Sequence, residues 1–431
     1  MGARAKGGAH QVALAARATV SRGRVDDLRK ALAAMADERD GAPSIPFSGL
    51  RGVHLARLML IEDDLDRDGN RIPASLIYTS EVDAPLDDRV DELADLGGPG
   101  LDATFGLCED YPATPDRSSR GAFLRAHRLS QRASYVNTIG RTVDQIRDEA
   151  TLRSAIEDFL DTRRRAGELP DEPSKIRAEI EDFVRTEPSL KWATRRAPRP
   201  SLRWRAAELL HAIAIPIALL LAVPLLIPLL LVWIPLLRLH ELRDRPRHVP
   251  PDPDHVRHLA ALEDKAAHNP FAAIGYVKPD LFRRLTVEAV LRAIDFGARH
   301  VFTRADLAGV KTIHFAHWMV IDDYRRVVFT SYYDGSLESY MDDFIDKVAF
   351  GLNAAFSNGV GYPQTRFLLF DGAKREEEFK AFLRRHQIPT YVWYSAYPEL
   401  TARNIENNAL IRSGLFSKLA PREIDTWLRR L

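Results

Sequence analysis

The chain has 431 residues, 45% of them apolar and 28% charged, with 60 acidic side chains against 61 basic ones. That length accommodates two or three domains with their own cores, and the near-cancelling charge excludes the strongly basic footprint of a nucleic-acid binder. A single cysteine, Cys108, excludes an internal disulfide and a Cys-rich metal centre.

The first twenty residues carry basic side chains without a continuous apolar core, so no cleaved signal is expected. HQVALAARATV (10–20) reads as a strand. The stretch SRGRVDDLRKALAAMADE (21–38) follows, with Ser21 as a candidate N-cap and Val25, Leu28, Leu32 and Met35 at helical spacing. Apolar runs at 52–62 and 74–82 flank an Asp-Gly-Asn turn, which predicts a hairpin. An amphipathic helix is expected over 86–106 and a closing strand in ASYVNTI (133–139). The charged stretch 165–188 reads as a linker, helical in part.

From Leu209 to Leu237 the chain carries no Asp, Glu, Lys or Arg, a run of 29 residues. That suffices for membrane contact and for one spanning helix, which needs about 20 residues. The run is flanked by Lys191, Arg195, Arg196, Arg199, Arg203 and Arg205 on one side and Arg238, Arg243, Arg245 and Arg247 on the other. Positive flanks favour the cytoplasmic side, so a membrane-dipping hairpin turned at Pro224 and Pro228 is expected, with a shallow placement at the interface or a single spanning helix as the alternatives. Both soluble parts then lie on the cytoplasmic side of the cell membrane. The stretch 243–258 is Pro-rich and expected to be extended.

The second half repeats the first. GVHLARLMLIEDD (52–64) aligns with TIHFAHWMVIDDY (312–324), pairing His54 with His314, Ala56 with Ala316 and Met59 with Met319. LIYTSEVDAPLDD (76–88) aligns with VVFTSYYDGSLES (327–339), pairing Asp83 with Asp334. Phe105 and Phe356 each follow their aspartate by 22 residues, and Tyr111-Pro112 and Tyr362-Pro363 by 28. The pattern strand, helix, strand, strand, helix, strand predicts an α+β fold of two ferredoxin-like repeats, with an extra helix before and after each last strand. Both faces of 52–62 are apolar, Val53, Leu55, Met59 and Ile61 on one and Ala56, Leu58 and Leu60 on the other. Two buried faces predict that the repeats pack sheet against sheet as an intramolecular pseudo-dimeric barrel with an inserted hydrophobic membrane segment. The boundaries are repeat 1 at 8–164, a charged linker at 165–205, the membrane segment at 206–240, a Pro-rich linker at 241–268 and repeat 2 at 269–431.

The strand-to-helix turns in ATVSRGRVDDLRKAL (18–32) and IGYVKPDLFRRL (274–285) resemble those of the EthD-type dimeric α+β barrels, whose relatives include antibiotic-biosynthesis monooxygenases, dye-decolourising peroxidases and chlorite dismutases. The run 314–346 is similar to an uncharacterised bacterial membrane-associated family. The resemblance implies an oxidoreductase, peroxidase-like or monooxygenase-like, with haem as a candidate cofactor; the membrane segment and the aromatic residues of the second repeat add the expectation of a hydrophobic or lipid-derived substrate. YDGS (333–336) is similar to the Gly-x-x-Asp-Gly motif of dye-decolourising peroxidases but lacks its first glycine.

His54 and His314 are candidate general bases or, with haem, axial ligands. Asp83 and Asp334 stand at strand-to-helix junctions, as helix N-caps or as catalytic carboxylates. Arg57 and His317 occupy the same position, so the copies have diverged there. Repeat 2 has the richer polar and aromatic set, and His317, Trp318, Tyr333, Tyr362, Trp393 and Tyr394 are the expected substrate-binding residues. No metal ligand set is assigned. The alternative function is a non-catalytic, membrane-tethered ligand-binding or scaffold protein. Expected partners are membrane lipid, a hydrophobic small molecule and each repeat for the other, with no nucleic acid; a homo-oligomer is compatible with the pattern.

Overall fold

The computed structural model describes residues 9–38, 44–66, 69–246, 249–264, 266–303 and 306–431. The expected first residue of repeat 1, Gly8, then Arg67 and Asp68 of the first predicted turn, and Arg247 of the basic flank lie outside the described residues.

In the first half, β1 (Gln11–Thr19), α1 (Val25–Ala36), β2 (Val53–Ile61), β3 (Ser75–Asp83), α2 (Leu86–Leu96), α3 (Gly98–Thr104), α4 (Arg117–Ala126), β4 (Gln131–Val136) and α5 (Val143–Ala166) follow one another. Three connecting helices come next: α6 (Pro173–Thr186), α7 (Leu202–Arg243) and α8 (Pro253–Ala260). The second half runs β5 (His268–Tyr276), α9 (Leu281–His300), β6 (Ile313–Ile321), β7 (Arg326–Asp334), α10 (Leu337–Phe356), α11 (Glu376–His386), β8 (Thr390–Ser395), α12 (Ala402–Leu415) and α13 (Pro421–Leu428). The stretch expected to be extended, 243–258, contains most of α8.

The strands form two four-stranded antiparallel sheets, ordered β1-β3-β2-β8 and β4-β6-β7-β5. Each sheet takes three strands from one half and its last strand from the other. Before crossing over, each exchanged strand touches its own sheet. Leu129 N donates to Ala15 O (2.8 Å) ahead of β4, and Ile388 N to Ala272 O (2.9 Å) ahead of β8. The exchange is reciprocal, so neither half completes its sheet without the other.

The period-2 alternation explains the layers. On β2, Ala56, Leu58 and Leu60 pack beneath α1 to α4, together with Leu28, Leu93, Leu101 and Phe123. Met59 and Ile61 face the other sheet and meet Ala272, Met319, Ile321 and Val328. Val53 belongs to the helix side, not the sheet-to-sheet side expected for it. The reason is a β-bulge: Val53 pairs with Val82 and Leu55 with Glu81, leaving His54 as the extra residue, and an extra residue resets the alternation. The same bulge recurs at His314, between Ile313 and Phe315. α9, α10 and α11 cover the outer face of the second sheet. A further cluster joins α5, α6, α12 and α13 around Ile156, Ile180, Leu415 and Trp427.

The apolar segment is one helix of 42 residues, long and apolar enough to cross a membrane, and none of its most apolar 18-residue window is buried. The hairpin expected at Pro224 and Pro228 is therefore corrected: all four prolines lie inside α7. Each proline removes one backbone donor, but a reversal among leucines would strand several backbone groups at once with no polar side chain to meet them. α7 is tied at both ends to α9. Arg299 Nη2 meets Glu208 Oε1 at 2.5 Å and His211 Nδ1 lies 2.8 Å from His300 Nε2. At the other end the Trp233 and His240 rings lie 4.4 and 4.8 Å from Phe282. Those pairings make the two helices antiparallel neighbours.

Candidate functional site

The expected site residues fall in three places rather than one. His54, Asp83, His314 and Asp334 do come together, at one end of the paired sheets, around Tyr397. His54 Nε2 is 3.0 Å from Asp83 Oδ1 and Nδ1 is 2.9 Å from the Tyr397 hydroxyl. The imidazole thus donates to the carboxylate and accepts from the phenol. In the second half His314 Nε2 is 2.7 Å from Asp334 Oδ1. The Tyr397 ring lies 5.9 Å from His54 and 6.5 Å from His314.

Neither aspartate caps the helix that follows it; α2 and α10 have Pro85 and Ser336 at their N-caps. Each accepts instead from a more distant helix start, Asp83 Oδ2 from Val143 N (3.2 Å) and Asp334 Oδ2 from Ala402 N (2.8 Å). The pairs thereby anchor α5 and α12, where a carboxylate also meets the positive end of the helix dipole. Gly52 makes room for this: at φ +66 a Cβ would stand 2.8–2.9 Å from the Asp83 side chain.

Sequence reasoning missed His268, the first residue of β5. It pairs directly with Asp334, as Gln11 does with Asp83. No sequence signal marked it, because the register that pairs it with Asp334 is set only in the folded sheet. Its Nδ1 lies 3.1 Å from Ser395 Oγ, its Nε2 contacts the Leu400 carbonyl, and its ring centre is 4.2 Å from that of His314. Burial pushes its pKa down to about 3, and the neighbouring His314 adds to this; Asp334 and the Leu400 carbonyl oppose it. Burial also drives the Tyr397 hydroxyl well above its ordinary range.

The second place lies between the sheets. His317 is buried with Nε2 2.7 Å from Glu81 Oε1 and Nδ1 3.0 Å from Ser134 Oγ. Arg57, its counterpart, is fully buried, donates to Phe271 O (2.8 Å) and Ser331 O (3.0 Å), and stacks over Tyr332 at 3.8 Å. This polar centre holds the sheets together and does not border the cavity described next.

The third place is an apolar cavity of about 460 Å³ between the second sheet and α9 and α10. Its size falls within the range of small-molecule sites. Trp318, Phe271 and Tyr340 floor it, and its walls owe their openness to small residues such as Gly297, Ala298 and Ala355. α10 departs from helical geometry at Val348, another lining residue. Of the residues expected to bind substrate, Trp318 lines it. Its indole N–H is buried with no protein partner among the described residues. Tyr333 stacks on Tyr340 (4.1 Å) outside the lining, and Tyr362 donates to Asn353 Oδ1 (2.9 Å). Trp393 and Tyr394 are carried to the first sheet by the strand exchange, where Tyr394 stacks on Phe47 at 5.5 Å.

Among the described residues the cavity lining holds no histidine, carboxylate, lysine, arginine or cysteine. It therefore offers haem no axial histidine, and none of His54, Asp83, His314 and Asp334 reaches it. In the first half Phe105, the counterpart of Phe356, is fully buried in the same apolar cluster as Leu101.

The cavity mouth carries exposed apolar side chains. Phe350, Phe367 and Leu369 both line the cavity and are 41–48% exposed. Phe367 and Leu369 belong to a small hairpin, Thr365–Arg366 with Phe370–Asp371, and Glu241 of α7 holds that hairpin. Fully buried, its carboxylate accepts from Phe367 N (2.8 Å), Leu368 N (2.8 Å) and Thr365 Oγ1 (3.1 Å). The long apolar helix and the cavity's rim are thus bonded to each other. Comparison with protein families, curated proteins and solved structures finds no match to this chain.

Proposed function

We propose that the protein works at a membrane surface, where its second repeat binds an apolar, chain-like ligand bearing one hydrogen-bond acceptor, such as a fatty acid. In this reading the two halves are ferredoxin-like repeats of a pseudo-dimeric α+β barrel, both on the cytoplasmic side, and α7 lies in the interface instead of crossing it. The observation that carries the reading is the bonded junction of α7 with an apolar rim that opens into an apolar cavity. A ligand leaving the bilayer at that rim stays out of water on its way in. The unpartnered Trp318 N–H supplies the point where an acceptor group is recognised, because a buried donor without a partner costs about 1–3 kcal/mol.

Binding is favoured over oxidoreduction because the histidine–aspartate pairs lie away from the cavity and are engaged in anchoring helices. The placement of α7 is supported by its contacts with α9 at both ends, and Leu220, Leu221 and Leu225, 70–78% exposed, are the side chains that enter the lipid. The test is titration of the detergent-purified protein with a fluorescent fatty acid. Saturable binding at one site, lost in Ala298→Phe with unchanged circular dichroism, is expected. Equal binding by the variant and the wild type rules the cavity out.

A further inference from the structure

We infer that His268, His314 and Asp334 form a buried metal site for a divalent transition ion, with zinc(II) the best match to two imidazole nitrogens and one carboxylate oxygen. Their donor atoms lie within 4.8 Å of one another. His314 Nε2 is 2.7 Å and His268 Nε2 3.6 Å from Asp334 Oδ1. Around a tetrahedral ion with bonds of about 2.0–2.2 Å, neighbouring donors stand about 3.3–3.6 Å apart, so small side-chain shifts seat the ion.

The supporting contacts are those a metal site needs. A ligating imidazole turns its other nitrogen to an oxygen partner, and His268 Nδ1 faces Ser395 Oγ at 3.1 Å. The second oxygen of Asp334 is fixed by Ala402 N. A further oxygen donor, the Leu400 carbonyl, contacts His268 Nε2. All three side chains are buried, which makes the site closed and structural: it clamps β5, β6 and β7 to the start of α12.

The duplication supplies an internal contrast. The first half keeps the histidine and aspartate, His54 and Asp83, but has Gln11 where the second has His268. The Gln11 side chain donates to the carbonyls of Thr138 and Arg141, and its amide nitrogen has no lone pair for a metal. One ion per chain follows.

The test uses the full chain, stripped with chelator and titrated with zinc chloride alone, with bound metal measured after desalting. One zinc per chain and a raised melting temperature are expected. His268→Gln, which recreates the first half's glutamine, histidine and aspartate, should fold as the wild type does by circular dichroism and lose the uptake. Stripped wild-type protein that takes up no zinc overturns the inference, as does undiminished uptake by folded His268→Gln. Should that variant not fold, cobalt(II) in the wild-type protein decides. Intense tetrahedral absorption bands are expected; weak octahedral bands alone overturn the site.

Discussion

Glu241→Ala tests how α7 holds the cavity's rim. Glu241 is fully buried and takes two backbone N–H donors at 2.8 Å, with Arg238 Nη1 3.1 Å away. The two residues it holds, Phe367 and Leu368, have φ of 54° and 59°. Left-handed backbone costs about 1–2 kcal/mol at each non-glycine residue, or about 2–4 kcal/mol for the pair. Hydrogen bonds to a charged acceptor return about 1.5–3 kcal/mol each, so the carboxylate offsets the strain with little to spare. Without it, opening of the 364–371 segment should become easier by about 3 kcal/mol, the lower limit for two such bonds. That is a rise of roughly 150-fold in the open fraction. Hydrogen–deuterium exchange with mass spectrometry reads this directly: protection of the 364–371 peptide should fall about 100-fold, with β6 and β7 unchanged. Protection within about threefold of the wild type would refute the reasoning.

His268 makes metal-stripped protein sensitive to acid. Its folded pKa is depressed to about 3 from 6.5, so the unfolded chain binds the proton first. Stability is full above pH 6.5 and falls by about 1.4 kcal/mol per unit as pH drops toward 3; denaturant titrations should show that slope, and His268→Gln should flatten it. Arg57→Ala removes two hydrogen bonds from a charged donor to the Phe271 and Ser331 carbonyls and opens a void beside Tyr332, and chemical denaturation should show a loss of about 3 kcal/mol or more, the lower limit for two such bonds. Changing Leu220, Leu221 and Leu225 to glutamate removes about 1.5–3 kcal/mol of burial per side chain in lipid. Co-sedimentation with liposomes should then be lost; persistence of binding would place the membrane contact elsewhere.

The correspondence between the two halves was legible because it lies in spacing: the 22- and 28-residue intervals after Asp83 and Asp334 needed no structure. Two apolar faces on 52–62 correctly implied cover on both sides. Which strand completes each sheet was not legible. β4 and β8 read alike whether they stay with their own sheet or cross over, since pairing partners are chosen in three dimensions. The bulges at His54 and His314 were hidden for a related reason: one unpaired residue shifts Val53 to the other face without altering the apolar pattern. The candidate site split because adjacent residues on a strand point to opposite faces, which sends His317 between the sheets and Trp318 into the cavity. The prolines of α7 suggested a turn that the cost of unpaired backbone in an apolar setting opposes.

The most direct measurement is photo-crosslinking of a diazirine-bearing fatty acid, delivered in liposomes to the full-length protein, with adducts mapped by mass spectrometry. Adducts on α9 and α10 beside the cavity, abolished by Ala298→Phe, are the predicted result. Adducts confined to α7, unchanged by that substitution, would show a protein that touches lipid without taking it in, and would contradict the account.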